Sequence, residues 1–164
     1  MQIAGEILRA WRHPRGVMAR RLSEGAREDR ALAYLMIACV LIFVAQWPRL
    51  VRNAELDDTT SLNAGLAGAL FGWLFIAPLT LYALAWLSRG VARLLGGKGN
   101  AFAARIALFW SLLVVTPLWL LNGLVAGLAG PGIVLNITGA ISLAVFLVVW
   151  ISSLIEAESG ASPR

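Results

Sequence analysis

What this sequence lacks is charge in its most apolar stretches. Four runs carry no Asp, Glu, Lys, Arg or His: Ala31 to Pro48, about Leu62 to Ser88, a third that follows Arg105, and a fourth from about Gly132 to Ile155. Cysteine and histidine are scarce as well, with one of each in 164 residues. A lone Cys39 excludes an intrachain disulfide framework and any Cys-x-x-Cys redox or zinc site, and reads as a small buried apolar residue. A lone His13 leaves no histidine cluster to hold a metal.

With 14% charged residues, 59% hydrophobic residues and a mean hydropathy of +0.76, the chain lies outside the range of soluble globular domains. A bilayer core of about 30 Å takes about 20 apolar helical residues to cross, and each of the four runs is of that order. The expected fold is therefore all-α: a polytopic membrane protein whose spans at about 31–48, 62–88, 104–126 and 132–155 form one membrane domain over 31–155. A basic amphipathic segment, 1–30, precedes it and a short tail, 156–164, follows. Residues 1–30 hold no apolar run long enough for a cleavable signal peptide, so this segment is expected to be retained.

Charge sets the orientation. Arg9, Arg12, Arg15, Arg20, Arg21, Arg27 and Arg30 precede the first run, and Arg89, Arg93, Lys98 and Arg105 lie between the second and third. Both segments are expected on the cytoplasmic side, with both termini cytoplasmic and the membrane the bacterial inner one. The link holding Glu55, Asp57 and Asp58 and the uncharged link near "NGLVAGLAGPG" then face outward. The net charge of +5 does not point to nucleic acid, because the cations cluster beside the runs instead of forming a basic domain. Arg9, Arg12, Arg15, Arg20, Arg21, Arg89, Arg93 and Lys98 are expected to meet lipid headgroups.

In the N-terminal segment, Ile3, Ile7, Leu8 and Trp11 fall at helical spacing before Pro14 interrupts, and Val17, Met18 and Leu22 repeat the pattern. Two placements fit: flat in the interface, or packed on the ends of the spans. Within the spans, Pro78 and Pro117 predict kinks, with Thr80 and Thr116 placed to serve the freed backbone groups. Gly68 with Gly72, and Gly123 with Gly127, are GxxxG arrangements that let another helix approach closely. Trp47 and Trp86 stand near span ends, as interfacial anchors do.

The stretch "GGKGN" at 96–100 invites a phosphate-loop reading. It lacks the GxxxxGK[ST] spacing and the hydroxyl after Lys98, so it reads instead as a helix end at "RLLGG" followed by a turn. No nucleotide, cofactor or metal is expected. The order of "ILRAWRHPRGVMARRL", a span, a second span ending in "LSRGVARLLGGKGNAFAARIALFWSLLVVTPLWLL", and two closing spans resembles the Yip1 family of small integral membrane proteins, closest to its short bacterial members. That resemblance covers most of the chain and implies a multi-helix membrane protein with a cytoplasmic N-terminus and no catalytic residues. Family members commonly carry five spans, where four are counted here.

The expected function is non-enzymatic: contact with membrane lipids, with another integral membrane protein or with a second copy of the chain, either organising the membrane or serving as an accessory subunit of a larger complex. The alternative expectation is a small-molecule carrier or channel using a cavity near Pro78 and Pro117.

Overall fold

The computed structural model of the chain describes residues 2–25, 27–57 and 61–159, except the side chains of residues 2, 3, 4 and 8. Of the residues singled out above, the side chains of Ile3 and Leu8, Asp58, and the tail from 160 onward lie outside that description. Seven α-helices follow one another: α1 (Gln2–Arg12), α2 (Pro14–Ser23), α3 (Glu28–Leu56), α4 (Leu62–Phe71), α5 (Ala77–Leu94), α6 (Ala101–Leu128) and α7 (Ile133–Glu158). A single π turn, Gly72–Ile76, joins α4 to α5, so that Leu62–Leu94 is one continuous helix.

Four helices are long and apolar enough to cross a membrane: Glu28–Leu56, Leu62–Leu94, Ala101–Leu128 and Ile133–Glu158. Each extends past the uncharged run that announced it. The largest extension is in α3, which continues through Pro48 to Leu56 instead of ending there. A proline removes one backbone donor from a helix but does not force its end.

The two predicted kinks are handled differently. Pro117 lies inside α6 and has no N–H for the carbonyl four residues earlier. That carbonyl, Leu113 O, accepts from Thr116 Oγ1 at 2.8 Å. At Pro78 the chain widens by one residue in the π turn, where Ala77 N–H donates to Gly72 O, and Thr80 Oγ1 donates to Ala77 O at 2.9 Å. Thr116 thus serves the freed carbonyl directly, whereas at Pro78 the backbone itself changes register.

The core is built around α6, whose side chains from Phe102 to Thr116 are buried on every face except at Arg105. α3 makes the most extensive contact with it, followed by α7. Small residues set the α3–α6 approach: a Cβ at Gly123 would collide with the backbone of Ala45, and one at Gly127 with Pro48. Parallel to one another, the two helices meet at both ends, through the Glu28–Arg105 ion pair at one and through Arg52 at the other. Arg52 donates to the carbonyls of Gly127 and Leu128 at 3.2 and 3.3 Å, serving oxygens that the end of α6 leaves without an intrahelical donor. On the α7 side Thr138 Oγ1 donates to Asn122 Oδ1 at 2.7 Å. Tyr82 of α5 packs edge-on against Phe109, 4.9 Å between centroids.

α1 and α2 pack on the long helices at the end carrying Glu28 and Arg105, called here the basic end. Ala10 and Met18 are fully buried there, with Ile7, Val17 and Leu22 packed against the same core.

A candidate functional site at the basic end

Arg21 is the one charged residue among the described residues whose whole surface is nearly covered, with 7% exposed. It lies on α2, where Met18 and Arg21 share the buried face three residues apart. Its guanidinium donates to Tyr34 Oη and to Glu6 Oε2, and stands 4.1 Å from the Trp110 ring and 5.0 Å from that of Tyr34. Tyr34 and Trp110 meet edge to face at 5.2 Å, so the cation rests against two aromatic groups and one carboxylate. Burial lowers the Arg21 pKa from its ordinary value, and the nearby carboxylates of Glu6 and Glu24 oppose that shift.

This cluster corrects the expectation that Arg21 meets a lipid headgroup. The segment that holds it folds back onto the long helices. Tyr34 is just under two turns inward of Glu28, about 9 Å along α3 at 1.5 Å per residue. Trp11 reaches further in, donating from Nε1 to Val114 O at 2.9 Å. Each long helix is free of charge over its apolar run, yet a buried ion pair is delivered among them from the side. The sequence signal for it is the pairing of Arg21 with the buried-face register of Met18, in a helix otherwise rich in arginine.

The second cluster answers the question raised by "GGKGN". Gly96 takes φ +89 and ends α5, and Gly97 N–H donates to Ala92 O at 2.9 Å, as a glycine-capped helix end does. The loop then closes around an anion that belongs to the chain itself, the Glu158 carboxylate at the end of α7. Gly99 N–H donates to Glu158 Oε2 at 2.9 Å, Arg89 Nη1 donates to the same oxygen at 3.1 Å, and Lys98 N–H donates to Glu158 O at 3.0 Å. A Cβ at Gly97 would stand 2.5 Å from Glu158 Oε2, and one at Gly99 2.9 Å from the same atom. The glycines are required by the close approach of the end of α7, since a Cβ at Gly99 would also collide with the backbone oxygen of Ala157, and one at Gly97 would stand 2.9 Å from that of Ala92. Asn100 starts α6 by accepting from Ala103 N–H at 2.7 Å.

Arg89, also expected at lipid headgroups, is accordingly half-buried on Glu158, while Arg93 and the Lys98 side chain stay exposed. Arg9, Arg12, Arg15 and Arg20 are exposed as well. The two GxxxG arrangements part company. Gly123 and Gly127 are used inside the chain, whereas a Cβ at Gly68 or Gly72 would meet nothing within 4 Å. The helix that carries them, Leu62–Leu94, has 6% of its most apolar window buried, against 56% for α6. Toward the basic end α5 and α7 part, and between them lies an apolar cleft of about 680 Å³ lined by Leu84, Leu87, Val91, Ile151, Leu154 and Ile155 among others. Neither Pro78 nor Pro117 lines it.

Among the described residues no three His, Cys, Asp or Glu side chains gather in a way that could hold a metal ion. Set against known proteins, the chain matches no protein-family profile, no curated sequence and no solved structure.

Proposed function

We propose that this chain is a Yip1-like multi-pass protein of the bacterial inner membrane that catalyses no reaction and works by contact within the bilayer, either organising lipid or accompanying a larger membrane complex. The observation that carries this reading is the helix Leu62–Leu94, 33 residues long with 6% of its apolar window buried in the chain. Its Gly68–Gly72 pair is open, with nothing of the chain within 4 Å of where a Cβ would stand, whereas the Gly123–Gly127 pair already receives α3. Small residues allow backbones to approach, and in lipid that close packing is a main source of helix association.

Several hydroxyl groups between the span ends support the same reading, because they bond to their own helix or across to a neighbour, although Ser153 Oγ and the indole N–H groups of Trp110, Trp119 and Trp150 are buried without a partner among the described residues. Ser111 donates to Ala107 O at 2.6 Å, Thr116 to Leu113 O, Thr138 to Asn122, and Ser142 to Thr138 O at 2.8 Å. The basic residues at the end that holds both described chain ends fit a cytoplasmic placement of both termini.

The test is extraction of native membranes in a mild detergent, capture through a tag, and identification by mass of what co-migrates on a native gel. A defined complex of fixed stoichiometry that is lost in Gly68→Leu is the expected result. A lone band at monomer mass, unchanged in that variant, overturns the accessory-subunit reading.

A further inference from the structure

The cleft between α1 and α2 is lined by Glu6, Arg9, His13, Gly16, Val17, Arg20 and Arg21, and holds about 200 Å³. Its charges do not balance. Glu6 is taken by Arg21, while the side chains of Arg9, His13 and Arg20 make no hydrogen bond or ion pair among the described residues. Two arginines and a histidine thus share one small space with no counter-charge left for them.

A second feature of the same cleft also favours an anion. α2 begins at Pro14 with no side-chain cap from His13, and its first intrahelical bond is Val17 N–H to His13 O at 3.3 Å. The amides of Arg15 and Gly16 in that first turn have no intrahelical acceptor, and the positive end of the helix dipole lies there. Gly16 lines the cleft, and a Cβ on it would meet nothing within 4 Å, so space stands beside its backbone.

We propose that this cleft binds a phosphate group, that of an anionic phospholipid headgroup, with Arg9 and Arg20 donating to its oxygens and the first turn of α2 supplying backbone N–H groups. Guanidinium groups match a phosphate in geometry as well as charge, and helix starts bind phosphate for the same electrostatic reason. Arg21 forms the floor, with two of its five N–H donors given to Glu6 and Tyr34. The site deepens the contact reading and rests on it only in that the basic end meets headgroups. The chemistry recognised is the phosphate oxyanion, whether on a lipid or free in solution.

The test uses the full chain purified in a sugar-headed detergent, which brings no phosphate. It is titrated with dioctanoyl phosphatidylglycerol, and separately with inorganic phosphate, and bound molecules are counted by native mass spectrometry. One lipid per chain is expected, with affinity at least tenfold weaker in R9Q/R20Q and unchanged in R93Q/K98Q. Gly16→Leu, which fills the cleft and leaves every charge in place, should weaken binding similarly and covers the case in which the double variant fails to fold. Tight binding of inorganic phosphate that is lost in both cleft variants supports the site and assigns it to a soluble anion. Lipid and phosphate binding that is equal in wild type, R9Q/R20Q and Gly16→Leu, or absent in wild type, overturns the proposal. A lone band on the native gel would remove the accessory-subunit reading and leave this titration untouched.

Discussion

Trp11 and Val114 are 103 residues apart in sequence, yet the indole N–H of the first donates to the carbonyl of the second at 2.9 Å. The acceptor lies in the turn of α6 that Pro117 disturbs. Its neighbour Leu113 O is served from within the helix by Thr116, and Val114 O is reached from the N-terminal segment. The turn in which Pro117 leaves a carbonyl free is also where α1 is fastened.

Trp11→Phe leaves a smaller aromatic ring and removes the donor. The expected cost is at least about 1 kcal/mol of stability, the usual net worth of one hydrogen bond, with some lost packing added. Limited trypsin digestion of the detergent-solubilised protein should show faster cleavage at Arg9, Arg12 and Arg15. An unchanged cleavage rate would mean that the bond does not hold α1 in place.

The two glycine pairs should respond in opposite ways. Gly123→Ala forces a Cβ into the backbone of Ala45 and should destabilise by roughly 1–3 kcal/mol through overpacking. Gly68→Ala meets open space and should leave the thermal midpoint of the isolated chain unchanged or slightly raised, given the better helix propensity of alanine. Thermal unfolding of both variants in one detergent checks the contrast.

Arg21→Met takes from Glu6 its ion-pair partner; because Glu6 is partly exposed and Arg9 and Arg20 line the same cleft, the expected loss lies below the roughly 3–5 kcal/mol of a fully buried pair. Arg21→Met with Glu6→Leu should recover most of that loss, because an apolar pair of similar size removes the stranded charge. Thermal unfolding of wild type, the single variant and the double variant in one detergent measures the loss and the recovery. Recovery absent from the double variant would show that the arginine acts through something other than its pairing.

Glu158→Gln leaves an oxygen for Gly99 N–H but removes the charge that Arg89 faces. Hydrogen bonds to charged groups contribute roughly 1.5–3 kcal/mol, so amide exchange at Gly99 and Lys98 should accelerate at least tenfold. Exchange in the middle of α6 should not change, since the loop lies outside the core. Equal rates at Gly99 in both proteins would count against the carboxylate as the group that closes the loop.

Much of this was legible in the residues. Four charge-free runs predict four long helices, and all four are present. Which helix lies at the centre was not legible, for a physical reason. Lipid is as apolar as a protein core, so burial leaves no hydropathy signal: α7 has the highest mean hydropathy, 2.3, with 11% of its window buried, whereas α6 has 1.8 with 56%. An apolar run does not mark where its helix stops, as in α3, which continues eight residues past Pro48 to Leu56. The "GGKGN" loop was rightly read as a helix end, but its anion could not be seen because Glu158 lies 59 residues beyond Gly99. Arg21 looks like its neighbours Arg15 and Arg20 in sequence, and only its register with Met18 marks it as the inward-facing one.

The burial of α6 changes sharply along its length, complete from Phe102 to Thr116 apart from Arg105 and partial from Pro117 onward. The first half is surrounded by α1 and α2 as well as by the long helices; the second half has the long helices alone. The chain therefore stacks more helices around α6 at the basic end than at the other, and the first half of α6 has neighbours where the second half offers part of its surface to whatever surrounds the protein.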